Sequence, residues 1–214
     1  MKKWLLYIVL PLSITFSIIA CNNKNDFDFE AALKEQARRD SIEKVRIDDL
    51  IKKQASDLKI FANEKIPGAT LVDSLGIWFI VDAPGDDASY DYKLHPSGRG
   101  ILAPFVKVSY KGTLLDGTVF DEKDVEKAAS FNLSNVIRAW KFALLPKEVR
   151  INAQTIPLNG LTAKGLKKGA KIRFVTSSPW GYDAIGNSNG TVKIPADAPL
   201  YFEINVIDIS DKDF

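Results

Sequence analysis

The sequence comprises 214 residues, of which 46% are hydrophobic and 26% charged, with a formal net charge of +2. That length can bury a core in one or two domains, and that balance excludes a chain disordered throughout. Lys2 and Lys3 account for the +2, and the remaining 27 basic and 27 acidic residues cancel, so there is no electrostatic case for a nucleic-acid partner.

Met1-Lys2-Lys3 and the largely apolar run Trp4–Ala20 have the form of a secretion signal over residues 1–20. Read alone, the run is near the lower limit for a membrane-spanning helix. Ile18-Ile19-Ala20-Cys21 resembles a bacterial lipobox. It implies a mature chain beginning at an acylated Cys21, since several acyl chains anchor stably where one is marginal. The expected location is the bacterial cell envelope, as a lipid-anchored membrane lipoprotein on a periplasmic or outer-membrane face. The blander alternative is a plain signal peptide with a leftover thiol. Cys21 is the sole cysteine, so no intramolecular disulfide can form.

Asn22–Asp28 is a short polar tether. Phe29 to about Asn63 is rich in Ala, Leu, Lys, Glu, Arg and Gln, without Gly or Pro, which predicts helix. Ile47, Ile51, Ala55, Leu58 and Phe61 draw one apolar face, and Asp40-Ser41 marks a possible break or cap. Such a segment is either a solvated spacer packing on its own domain or a dimerisation element. The short stripe without sustained heptads favours the spacer. Pro67-Gly68 ends the region. Thr70–Val72 and Ile77–Val81 then read as strands around an Asp73–Gly76 turn. Pro84–Gly100 is a long polar loop carrying His95, the sole histidine. A single histidine excludes a multi-His metal site, and in a polar loop it reads as a solvent-exposed residue rather than a catalyst.

Val106, Val108 and Tyr110 alternate with Lys107, Ser109 and Lys111, the period of a half-buried strand. Asp116-Gly117 is a hairpin signal, because Gly accepts positive φ and Asp tolerates it. Val119, Phe120 and Asp121 follow. Phe131–Leu133 reads as a strand and Ser134 as the N-cap of a short helix carrying Val136, Ile137, Trp140 and Leu144. Lys171–Thr176 and Leu200–Val206 are further strands.

The hairpin Val106–Asp121 resembles the signature V-x-V-x-Y-x-G-x-L-x-D-G-x-x-F-D of the FKBP-type peptidyl-prolyl isomerases. Four further segments follow in the family's order. Val136-Ile137-Arg138-Ala139-Trp140 resembles V-I-x-G-W, with Ala139 for Gly, and Leu166–Lys171 resembles the turn before the Lys171 strand. Gly181-Tyr182-Asp183 stands where relatives have Ala-Tyr-Gly, and Ile194-Pro195 with Leu200–Val206 completes the pattern. Gly76–Val81 looks like the strand that introduces the family's sheet. The likeness covers roughly residues 101 to 210, about half the chain.

The resemblance implies an α+β fold: a twisted antiparallel sheet wrapped around one short helix, preceded here by an N-terminal helical segment. The chain then divides into a signal peptide (1–20), a lipid-anchored tether and helical region (21–65), a strand pair and loop (66–100), and an isomerase-type domain (101–214). That domain carries an insert at about 146–161. The implied activity is peptidyl-prolyl cis-trans isomerisation in an apolar pocket. Asp121 and Tyr182 are its catalytic candidates, and Tyr110, Phe120, Phe131, Val136, Ile137, Trp140, Ile194 and Phe202 its substrate-binding ones. By resemblance, the Ile137 N–H and the Tyr182 hydroxyl would bind substrate carbonyls, and Asp121 would meet the rotating carbonyl or orient Tyr110. No metal or cofactor is expected. The implied partners are proline-containing unfolded or nascent secreted proteins, the membrane through its lipid, and a second copy through the 29–63 helix. The competing reading is a non-catalytic module that grips proline-containing or unfolded segments, as a tethered chaperone or adaptor.

Overall fold

The computed structural model describes residues 29–190 and 192–214. The expected signal segment and Cys21, the expected acylation site, lie outside the described residues. No described helix is long and apolar enough to cross a membrane. The chain falls into two compact units divided after Asp40. In the first, Phe29–Asp40 is helical, Phe29 and Leu33 are exposed, and Glu35 pairs with Arg38 and Arg39, the i,i+3 and i,i+4 spacings that bring helical side chains together.

Helix α1 runs over Phe29–Lys65 without interruption, so the break suggested at Asp40-Ser41 does not occur. Asp40 instead accepts from Gln36, one turn back, at 2.7 Å. From Ser41 onward the buried face of α1 is Ile51, Gln54, Leu58, Phe61 and Ala62. Gln54 thus holds the place expected of Ala55, which is exposed. Ile66 and Pro67-Gly68 end the helix, with Gly68 at φ +84°.

Among the described residues nine strands follow: β1 (Thr70–Val72), β2 (Ile77–Ala83), β3 (Phe105–Leu114), β4 (Val119–Lys123), β5 (Ala129–Asn132), β6 (Glu148–Ile151), β7 (Gln154–Pro157), β8 (Lys171–Thr176) and β9 (Leu200–Ser210). Seven of them form one antiparallel sheet in the order β1-β2-β8-β9-β3-β4, with β5 also on β3. Period-two alternation explains its two faces. Phe174 on β8 and Phe202 on β9 point into the main core, whereas their neighbours Val175 and Tyr201 point to the other side. Helix α2 (Arg138–Leu144) lies on the main-core side, contributing Ala139, Trp140, Ala143 and Leu144. Leu58, Phe61, Ala62 and Ile66 cover the opposite face against Val175 and Tyr201. The fold is α+β.

The structure corrects the expected cap and the polar reading of the loop before β3, and gives the insert a form. Ser134 is not the cap of α2: its hydroxyl and N–H both turn to the Asn132 carboxamide oxygen, and the helix begins three residues later, after Ile137. Val136 and Ile137 therefore precede the helix. The insert folds as a β6–β7 hairpin paired only with itself. Its turn uses Asn152 and Ala153, both at positive φ. The loop before β3 is also less polar than it reads, since Tyr90 and Tyr92 pack edge to face into the main core.

Candidate active site

The site is built where β3, β4, β5, α2, β9 and the segment between β8 and β9 converge. Tyr110 on β3 points inward by the same alternation that buries Val106 and Val108. On β4, Asp121 pairs with Gly112 but Val119 pairs with Thr113, so Phe120 is an extra, bulged residue. Neighbours in a regular strand face opposite ways, and a bulge re-aims one of them. That is how Phe120 and Asp121 both come to line one cavity. Gly112 lies between Asp121 on one neighbouring strand and Phe202 on the other. A Cβ there would stand 2.6 Å from the Phe120 ring and 3.0 Å from the Phe202 ring.

The cavity, of about 240 Å³, is lined by Tyr110, Phe120, Asp121, Phe131, Asn135, Val136, Ile137, Trp140, Tyr182 and Phe202. Trp140 is the hub of its walls. Its ring stands edge-on to Tyr110, Phe131 and Phe202 at centroid separations of 5.1, 5.5 and 5.8 Å. Phe120 meets Phe202 likewise at 5.7 Å. Such edge-to-face pairs add to the energy of burial and fix the ring planes. Ala139 lies fully buried beside Trp140 and forms no part of the lining.

Polar atoms are few and mark the rim. The Tyr110 hydroxyl donates to Asp121 Oδ2 at 2.7 Å. Burial, and then that hydrogen bond, push the phenol above its ordinary range, so it stays a neutral donor near pH 7. Ile137 is extended at φ −58°, ψ 154°, and its carbonyl accepts from the Trp140 and Lys141 N–H groups. The Ile137 N–H and the Tyr182 hydroxyl have no acceptor among the described residues. The indole Nε1 of Trp140 is buried and likewise unpartnered. Among the described residues no group of three or more His, Cys, Asp or Glu could hold a metal ion.

Nine of the ten residues expected at a catalytic or substrate site thus converge on one cavity. The exception is Ile194, which is 3% exposed and packs in the main core. Its reciprocal backbone bonds with Asn187 hold it there, away from the lining. Asn135 lines the cavity without having stood out in the sequence, because a lone Asn after a strand reads as a turn residue. The β6–β7 hairpin contributes nothing to the lining.

Residues 103–207 match the FKBP-type peptidyl-prolyl cis-trans isomerase family. A probable FKBP-type peptidyl-prolyl cis-trans isomerase of Haemophilus influenzae is 31% identical over 126 residues, 56% of this chain and 43% of that protein. A probable FKBP-type 25 kDa isomerase of Pseudomonas aeruginosa is 35% identical over 111 residues, 51% of this chain and 38% of that one. The chain therefore spans about two fifths of the length of these curated relatives. Among solved structures, a peptidyl-prolyl cis-trans isomerase from Pseudomonas syringae pv. tomato shares 26% identity at a TM-score of 0.47, over 74% of this chain and 95% of that one. The matched segment and the relatives' sequences thus place residues 103–207 with the FKBP-type peptidyl-prolyl cis-trans isomerase family.

Proposed function

We propose that this protein is a peptidyl-prolyl cis-trans isomerase acting on extracytoplasmic proteins, tethered to the cell envelope through an acylated Cys21. The reaction needs no nucleophile. Turning an amide breaks its resonance, a barrier of ~18–20 kcal/mol in general, and X-Pro bonds cross it slowly enough to limit folding. A twisted amide is less charge-separated than a planar one, so a dry aromatic site favours the transition state over the ground state. Trp140, Phe131 and Phe202 would hold the proline ring. The Ile137 N–H and Tyr182 hydroxyl would bind flanking substrate carbonyls, and Asp121 would face the rotating one. The clients would be proline-containing secreted chains.

The observation that carries the reading is the pairing of an aromatic cavity with two unspent donors at its edge. The test is isomerisation of a short X-Pro peptide by protein beginning at Asn22, beside Asp121→Ala and Trp140→Ala. Activity that is lost in folded variants supports the reading. A folded wild-type protein that binds such peptides without turning them over would overturn it in favour of a binding module.

A further inference from the structure

The segment Ser178–Asp197, which carries Tyr182, has little regular structure of its own. It consists of two single 3-10 turns, Ser178–Trp180 and Asp183–Ile185, and one bridge between Asn187 and Ile194. Internal backbone bonds close its turns, among them Gly186 N–H to the Tyr182 carbonyl at 3.0 Å and Asp197 N–H to the Asp183 carbonyl at 2.8 Å, but none reaches the Tyr182 hydroxyl.

From outside, Trp180 Nε1 donates to the Leu75 carbonyl at 2.6 Å, and the bonds to Ser178, Asp183 and Asp197 come from the Ser41–Lys65 part of α1. Gln54 is 7% exposed and ties both ends of the segment with one carboxamide. Its Oε1 accepts from the Ser178 N–H at 2.9 Å, and its Nε2 donates to Ser178 Oγ at 2.8 Å and to the Asp197 carbonyl at 2.9 Å. About two turns earlier, Arg46 grips Asp183, the residue after Tyr182, through both terminal guanidinium nitrogens. The contacts are Nη1 to Oδ1 at 2.9 Å and Nη2 to Oδ2 at 2.6 Å. Glu43 holds the same guanidinium from the helix side at 2.8 and 2.7 Å, so the fork is aimed before it meets its carboxylate. Asp183 sits at φ +49°, a left-handed conformation that a non-glycine residue keeps only when its surroundings insist. The hydrogen bonds from Arg46 hold its carboxyl below the usual carboxylate range.

We infer that Arg46, seconded by Gln54, is a positioning residue for Tyr182, and that this part of α1 belongs to the working site rather than serving only as a spacer. The kinetic half of this inference rests on the isomerase reading; the structural half does not.

The test compares Arg46→Ala, Arg46→Lys and Asp183→Asn with wild type, by amide hydrogen exchange and by X-Pro peptide kinetics. Asn tolerates the left-handed region, so Asp183→Asn removes the charge while keeping the turn. Exchange over Tyr182–Gly186 is expected to quicken about tenfold in Arg46→Ala and Asp183→Asn, with β3 and β9 unchanged. The double variant should add little to either single one, because the two act as a pair. The kcat is expected to fall about fivefold to tenfold, and Arg46→Lys to recover only part, since lysine keeps the charge without the fork. A merely structural role would lower stability without lowering the kcat of the folded protein. Unchanged exchange over Tyr182–Gly186 overturns the inference, and so does faster exchange with undiminished kcat. Faster exchange in a protein whose wild type turns over no X-Pro peptide sinks the isomerase reading and leaves the structural half standing.

Discussion

The Tyr110 hydroxyl and the Asp121 carboxylate meet at 2.7 Å across the β3–β4 pair, and they can do so because Phe120 is bulged out between Asp121 and Val119. One oxygen of Asp121 is thereby occupied and its partner remains for a substrate. If Asp121 acts on the rotating amide and not merely through Tyr110, Asp121→Ala should cost more than Tyr110→Phe. The expected losses in kcat/KM are about tenfold for the first and about twofold to threefold for the second. Equal losses in the two variants would reduce Asp121 to an orienting group.

Gly112 is the glycine the site cannot exchange, for a reason unconnected with backbone freedom. An alanine Cβ would press on the Phe120 ring at 2.6 Å and on the Phe202 ring at 3.0 Å, both of them cavity walls. Overpacking of this kind costs about 1–3 kcal/mol. The ring with room to yield is Phe120, which is only partly buried and would swing across the cavity mouth. Gly112→Ala should therefore raise the KM for an X-Pro peptide several times more than it lowers kcat, and steady-state kinetics would read the split.

The elements legible in the sequence were those whose faces alternate: Lys171–Thr176 is β8 as read, and Val106–Tyr110 and Leu200–Val206 lie within β3 and β9. What escaped was set by contacts distant in sequence. Nothing near Phe120 announces a bulge, because the extra residue is defined only against β3. Gln54 takes a buried position that hydrophobicity would give to Ala55, since Ser178 and Asp197, far along the chain, satisfy its carboxamide. Ser134 looked like a cap, yet Asn132 captured its hydroxyl first. The hairpin turn at Asn152-Ala153 was hidden because alanine seldom adopts positive φ. Most of the cavity lining came from the family pattern rather than from periodicity, which says that an aromatic is buried but not which aromatics share a wall.

Trp140 offers a test of whether the wall needs an indole or only a ring. Its Nε1 is buried without an acceptor, and leaving such a donor dry costs about 1–3 kcal/mol. Trp140→Phe removes that cost while giving up volume, so urea unfolding should show a net change within about 1.5 kcal/mol. Trp140→Ala empties the junction of three aromatic pairs and should lose about 3–5 kcal/mol. A Trp140→Phe variant as unstable as Trp140→Ala would mean that the indole finds a partner in solution, such as a water.

The β6–β7 hairpin should be dispensable for turnover of a short peptide. Residues 148–157 join neither apolar core and none lines the cavity. The segment is anchored by the bonds outside it: Lys147 N–H to the Thr162 carbonyl at 2.8 Å and Leu161 N–H to the Phe142 carbonyl at 2.7 Å. Val149 and Ile156 already face each other, so an Asn-Gly pair in place of residues 150–155 would close the ladder with a two-residue turn. Shortening a surface loop changes stability by only about 1 kcal/mol, and kcat/KM should stay within about twofold of wild type. The same excision measured on an unfolded protein substrate separates two roles for the hairpin. A loss confined to the protein substrate would assign it to holding chains outside the cavity, whereas a loss on the short peptide would place it in the support of α2.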